Sequence, residues 1–199
     1  MISQAQHDSL RAKYSPDGSL LRRQQERMLE ILCEIDRVCK KHAISHWLSS
    51  GTLIGAARHG GFIPWDDDLD IEMMREDYDR LMKVLPGELP STMALQTHET
   101  DPTYFFYYAK IRDRRSLLAE GNKYDRMWKE QGIYIDIFPL ERQPLCIHKI
   151  SENTVGHMYK IWRICTDDSV GIKKVMRWFH FNRRFVYPVL RALCRMSGT

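Results

Sequence analysis

WDDDLDIEMM, residues 65–74, decides how this chain reads. Leu69, Ile71 and Met73 alternate with Asp68, Asp70 and Glu72, a period of two that predicts a strand with one wet face. On that strand Asp68 and Asp70 point to the same side. Asp66 shares their parity if the strand reaches back so far, while Asp67 points away. Carboxylates this close repel one another, and in a low dielectric their pKa values rise unless a cation holds them ionised. A hard divalent ion meets that need, since Mg²⁺ favours oxygen ligands and is usually shared with substrate phosphates. The alternative is a solvated acidic turn after Trp65. No EF-hand spacing of oxygen donors is present, which argues against calcium storage.

A second apolar stretch, GIYIDIFPL, begins at Gly132 and predicts another strand, bounded by Pro139. Ile133, Ile135 and Ile137 share one side; Tyr134, Asp136 and Phe138 share the other. An aspartate in so apolar a strand is costly unless ionically satisfied. Asp136 could pair with Lys110 or Arg112, a structural role, or complete a carboxylate triad with Asp68 and Asp70. Such a triad can bridge metal and phosphate oxygens, and one member can deprotonate an attacking hydroxyl.

Upstream lies SSGTLIGAARHGG. Gly51 lets the backbone approach a ligand, and the Thr52 hydroxyl or nearby N–H groups can meet phosphate oxygens; a plain helix start is the other reading. Arg58 and His59 could reach phosphate or serve as cations at a helix C-terminus. In YYAKIRDRRS, Lys110 and Arg112 share one strand face with Asp113 opposite, placed to hold diphosphate oxygens or steady leaving-group charge.

Around these stretches the pattern predicts a loose arm over residues 1–18, then an amphipathic helix over 20–41 capped by Asp17 or Ser19. A strand starts within Ile44–Leu48, a short helix covers 52–59, and a helix over 75–85 closes at Pro86-Gly87. Strands are predicted over Met93–His98, Phe105–Arg112 and Leu117–Glu120, and helices over 145–166 and 170–196. Helices mixed with short strands imply an α/β (α+β) domain with a small mixed sheet. No G-x-G-x-x-G, G-x-x-x-x-G-K-[ST] or G-x-S-x-G is present, so the usual signs of Rossmann, P-loop and α/β-hydrolase chemistry are missing.

The 199 residues suit one domain with an appendage, and 43% hydrophobic content can fill its core. Between Val155 and Thr199 there are nine Lys/Arg and two Asp/Glu, so the tail carries +7 and the first 154 residues −3, for a net charge of +4. The acidic remainder argues against a protein that coats nucleic acid. The five cysteines form no C-x-x-C and no zinc-finger spacing, so they read as reduced thiols suited to the cytoplasm. The polar start shows no signal peptide, and no apolar run is long enough to span a membrane.

GTLIGAARHGGFIPWDDDLDIEM, DYDRLMKVLP, YAKIRDRRS and GIYIDIFPL, in this order over residues 24–140, together resemble the LicD family. That family includes bacterial phosphocholine transferases and relatives of fukutin and fukutin-related protein. The resemblance implies a nucleotidyltransferase-like fold for a core over 20–144. The residue pattern adds an N-terminal arm over 1–19 before it and a basic, C-terminal helical extension over 145–199. By the same resemblance Gly51-Thr52 matches a glycine-hydroxyl phosphate loop, Asp68 and Asp70 a metal-binding pair, and Asp136 the third carboxylate. The implied activity is a phosphotransferase using Mg²⁺ or Mn²⁺. It moves phosphocholine from CDP-choline, or another headgroup from a CDP-linked donor, to a sugar hydroxyl on a glycan or glycolipid. Gly51, Thr52, Arg58, Lys110 and Arg112 would hold the donor. Many members run on beyond this length, with an acidic-aromatic segment and a Tyr-Gly-Asp near the end, so residues 145–199 read as an incomplete part of the family domain.

Two other readings stand beside this one. Nucleotidyl transfer from a nucleoside triphosphate would release pyrophosphate instead of CMP. A catalytically inactive, membrane-adjacent partner protein is suggested by WFHFNRRFVYPVL, where aromatic residues interleave with arginines. A basic amphipathic helix can lie on anionic lipid, which implies a cytoplasmic protein peripheral at the inner face of a membrane. The same aromatics could instead belong to a core.

Overall fold

The computed structural model of the chain describes residues 3–119, 121, 127–145, 147–150 and 169–196, apart from the side chains of 169–172. These fall into two compact units. The first holds residues 1–101, 106–119 and 129–140.

The first unit begins with a helix where an arm is expected. α1 (Gln4–Tyr14) starts in a capping box: the Ser3 hydroxyl accepts from the Gln6 N–H, and the Gln6 side chain accepts from the Ser3 N–H. None of its residues is buried, so apolar periodicity carries no sign of it. Rings dock it instead. Tyr14 meets Trp65 edge-on at 5.3 Å, and His7 lies 5.6 Å from His59.

α2 (Leu20–Lys41) is capped by Ser19, whose hydroxyl accepts from the Arg22 N–H. Met28, Ile31, Ile35 and Val38 recur every three or four residues and form its buried stripe. β1 is only Trp47–Leu48. α3 (Ser50–His59) ends at Gly60, whose φ of +67° supplies the left-handed C-cap. β2 (Asp70–Met74) leads directly into α4 (Arg75–Glu88).

Pro86 was expected to end α4 but lies inside it. Pro86 gives no N–H to the Met82 carbonyl and its ring crowds that carbonyl, but the helix runs on to Glu88 and the Leu89 N–H still closes onto the Leu85 carbonyl at 3.0 Å. β3 (Met93–Gln96), β4 (Ala109–Asp113) and β5 (Tyr134–Leu140) complete a five-stranded sheet. The strand predicted over Leu117–Glu120 is not seen among its described residues. There the Leu118 N–H donates to the Gln131 carbonyl at 2.8 Å.

The sheet order is β1-β2-β5-β4-β3. β2 and β5 run parallel and the other neighbours antiparallel, giving the mixed sheet that the pattern implies. Ile71 pairs with Ile137, and Ile137 with Ala109; Ile135 pairs with Ile111. These side chains are fully buried and meet α2 and α4 on one face. Each of these isoleucines contributes roughly 1.5–3 kcal/mol relative to exposure. Side-chain alternation then puts Asp70, Asp136 and Lys110 on the opposite face.

In the second unit, Tyr104 and Trp128 meet edge-on at 5.6 Å, and the Thr103 hydroxyl donates to the Met127 carbonyl at 2.9 Å. The chain from 169 to 196 is helical throughout: α5 (Ser169–Phe181), a π-helical segment Asn182–Val186, and α6 (Tyr187–Met196). The widened turn has a local cause. Pro188 brings no N–H to the Arg184 carbonyl, and the preceding Tyr187 N–H reaches back five residues to Asn182. Of the helix predicted over 145–166, residues 145 and 147–150 are helical, and the rest lies outside the described residues. No helix among the described residues is long and apolar enough to cross a membrane.

Candidate active site

The register of β2, β5, β4 and β3 sets Asp70, Asp136, Lys110 and Gln96 side by side in one row. Neighbouring strands lie about 4.8 Å apart. The Lys110 ammonium donates to Asp136 Oδ1 at 2.6 Å, with Lys110 4% and Asp136 14% exposed. Asp136 therefore has the structural partner that its burial demands. Register selects that partner: Lys110 stands opposite Asp136, whereas Arg112 stands opposite Tyr134.

Lys110 Nζ also lies 3.4 Å from the centroid of the Tyr134 ring, and Arg112 Cζ lies 4.5 Å from the same centroid. Arg112, 1% exposed, donates to Gln96 Oε1 (2.6 Å) and to the Gly132 carbonyl (2.9 Å). It is built into the sheet face.

The start of α3 is stitched to the start of β2. The Asp70 N–H donates to Thr52 Oγ1 at 2.9 Å, and the Ser49 N–H donates to the Asp70 carbonyl at 3.0 Å. The Asp136 N–H donates to the Leu69 carbonyl at 2.9 Å, extending the join across β5. Thr52 thus fixes where Asp70 emerges, besides standing beside Gly51 in the first turn of α3.

Asp68 precedes the strand, which begins at Asp70. Strand parity therefore does not align Asp66 and Asp68 with Asp70; the loop does. Two glutamines of α2 pin that loop: Gln24 donates to the Asp67 carbonyl at 2.7 Å and buried Gln25 to the Asp66 carbonyl at 2.9 Å. The Asp66 carboxylate lies against Gly51, where a Cβ would sit 2.8 Å from Asp66 Oδ2. A Cβ there would press on the end of the Asp66 side chain and displace it, so glycine leaves the carboxylate in this position. That Oδ2 is buried with no hydrogen-bond partner.

Negative charge accumulates here faster than it is neutralised. Burial, then the charges of Asp68 and Asp136, push the Asp70 carboxyl up to about 7 even though Lys110 pulls the other way. Burial, then Asp68 and Asp67, push Asp66 up to about 6. Among the described residues no three His, Cys, Asp or Glu side chains are already gathered at metal-holding distance. Asp68, Asp70 and Asp136 are neighbours that repel, with Asp136 turned to Lys110.

Arg58 is not brought to this row. It is exposed in the last turn of α3, six residues beyond Thr52 and so about 9 Å further along the axis. His59 faces His7 and Trp65 instead, at 5.6 and 6.2 Å between ring centroids. Burial, His7 and Arg58 lower its pKa. Reading the sequence missed Gln24, Gln25, Gln96 and Tyr134, which hold the acidic loop and the cationic pair. Their partners are distant in the chain, and the only local signal was the parity of Tyr134 with Asp136.

Residues 43–192 match the family model described as LicD/FKTN/FKRP, nucleotidyltransferase domain. The match takes in Gly51-Thr52, the acidic loop and all five strands. The chain belongs to the LicD family. Over 125 residues it is 38% identical to the lipopolysaccharide cholinephosphotransferase LicD of Haemophilus influenzae, covering 62% of this chain and 45% of that protein. It is 44% identical over 59 residues to an uncharacterized protein of Rickettsia prowazekii, covering 30% and 22%. It is 48% identical over 40 residues to the human ribitol 5-phosphate transferase FKRP, covering 20% and 8%. The matched stretches span less than half of each of these curated relatives. The LicD-family domain here includes the sheet row as well as the helices that follow it.

Proposed function

We propose that this chain is a LicD-type transferase. It would move phosphocholine, or a related phospho-headgroup, from a CDP-linked donor to a sugar hydroxyl of a glycan or glycolipid, with a divalent cation. The observation that carries the reading is the charge imbalance of one small surface. Asp66, Asp68, Asp70 and Asp136 influence one another, Lys110 is the cation paired with Asp136, and burial leaves Asp70 about 7 and Asp66 about 6. An all-carboxylate donor set with an orphaned, buried Asp66 Oδ2 fits a hard cation such as Mg²⁺ or Mn²⁺. Asp68, Asp70 and Asp136 would hold it, and it would supply neutralisation of charge on the donor phosphates.

The chain's own groups divide the remaining work. The first turn of α3, at Gly51 and Thr52, offers N–H groups to a donor phosphate. Lys110 steadies diphosphate charge, with Arg112 adding positive field from beneath and Arg58 available to the outer part of a donor. The acceptor hydroxyl oxygen attacks the β-phosphorus. A new O–P bond forms, the bond to the bridging oxygen breaks, and CMP leaves with that electron pair. The hydroxyl proton passes to a carboxylate of the row, a role Asp136 would take if it does not share the cation.

CMP release from CDP-choline, with Mg²⁺ and a sugar acceptor, tests this. The expected result is CMP formation that EDTA stops and Asp70→Asn abolishes. Absence of CMP across several CDP-linked donors with cognate acceptors would defeat the proposal. Pyrophosphate released from a nucleoside triphosphate would reassign the site to nucleotidyl transfer.

A further inference from the structure

The exposed side of the C-terminal helical segment carries a pattern that the proposed chemistry does not use. Trp178, Phe181, Phe185, Val189, Leu193 and Met196 follow one another at intervals of three, four, four, four and three residues. All six are substantially exposed, from 36% at Trp178 to 81% at Met196. They form one stripe along α5, the π-helical segment and α6. Trp178 and Phe181 stack at 5.8 Å with rings 5° from parallel, and Phe185 continues the row 5.3 Å beyond Phe181. The inward side is separate: Val175, Phe179, Asn182 and Cys194 are buried.

Charge identifies what the stripe meets. Residues 169–196 contain seven Lys/Arg and no Asp or Glu. Lys174 and Arg177 line the same shallow depression as Trp178 and Phe181, and the Arg184 guanidinium lies over Phe185 at 6.0 Å. A protein partner with an apolar groove would explain the aromatic row but not a surround of seven basic residues, of which Arg191 faces Glu141 at 3.8 Å. A second copy would set these cations against themselves. An anionic lipid surface explains both, since aromatic and aliphatic side chains enter the acyl boundary while cations meet headgroup phosphates.

We infer that α5, the π-helical segment and α6 form an amphipathic platform that lies in the plane of an anionic membrane. It binds through the Trp178–Met196 stripe and the flanking basic side chains. This stands independently of the transferase reading.

Co-sedimentation of the full chain with vesicles tests it. Vesicles of phosphatidylglycerol and phosphatidylcholine should pellet the protein at low salt and less of it at moderate salt. Phosphatidylcholine alone should pellet little. Near an anionic surface each Lys or Arg changes partitioning about fivefold, so Lys174→Ala with Arg177→Ala should weaken it about 25-fold. Phe185→Glu, at a 55% exposed position, should abolish pelleting while circular dichroism and melting temperature stay unchanged. Three outcomes would overturn the assignment: no pelleting at either salt, equal pelleting on neutral lipid, or a concentration-dependent dimer that Phe185→Glu dissolves without any vesicle binding.

Discussion

Replacing Asp70 with Asn should make the metal-free protein more stable at pH 8 and no more stable at pH 4. Burial, Asp68 and Asp136 hold the Asp70 carboxyl at about 7, some three units above its ordinary 3.8. Between those values the folded state keeps a proton that the unfolded state has lost. Stability therefore falls as pH rises through this window, and the penalty is complete above about 7. One unit corresponds to about 1.4 kcal/mol. Asp70 is partly exposed, so solvent relaxation brings the total to about 2–4 kcal/mol. For a chain of this length that is roughly 5–15 °C in melting temperature. Asp66, raised to about 6, adds in the same direction.

The assay is thermal unfolding of wild type and Asp70→Asn from pH 4 to 8, in EDTA and in Mg²⁺. Groups such as Glu88, lowered to about 2 mainly by hydrogen bonds from Lys41 and His42, oppose the trend as acid is approached. They are common to both proteins and cancel in the difference. Wild type should lose stability relative to the variant as pH rises, and Mg²⁺ at pH 8 should restore it. At a hundred times its dissociation constant the ion adds about 2.7 kcal/mol. The variant should gain little from Mg²⁺. Parallel metal-free curves for the two proteins from pH 5 to 8 would refute the reasoning, because they would mean that Asp70 bears no unbalanced charge.

Gly132→Ala should cost more than about 4 kcal/mol in urea unfolding, since a Cβ there meets the Asp113 backbone carbonyl at 1.6 Å; a loss under about 1 kcal/mol would contradict that contact. Arg27→Met should cost about 3 kcal/mol by leaving Asp113, 2% exposed, without its 2.6 Å partner. Burial alone would raise Asp113, yet hydrogen bonds from Arg27 and Ser116 hold it below its ordinary value. The difference between wild type and Arg27→Met should therefore shrink as pH falls through the carboxylate range, which paired melts would show. Tyr134→Leu should lower kcat about tenfold by removing the ring under Lys110, whereas Tyr134→Phe should stay within about twofold; equal losses in both variants would point to the hydroxyl instead.

What could be read from the chain follows the range of each physical signal. Alternation at Leu69–Met73 and Ile133–Phe138 is local, so it gave both central strands and the side from which Asp70 and Asp136 project. α1 escaped because its signal is a capping pair, Ser3 and Gln6, with no buried stripe behind it. Pro86 misled because a proline disturbs the turn before it and does not prevent the next two residues from staying helical. Parity allowed Lys110 and Arg112 equally as partners of Asp136, and only the pairing of β4 with β5 chose between them.

Asp66 shows the same limit most sharply. Strand parity would carry it into the site only along a continuous strand, and the strand starts four residues later. It arrives through a loop pinned by Gln24 and Gln25 and comes to rest over Gly51. Gly51 and the acidic loop are thus one device: the missing side chain makes room for a carboxylate, and that carboxylate adds to the field that raises the Asp70 pKa. Motif residues can be named in order along the chain, but their charges couple only through contacts that the fold creates.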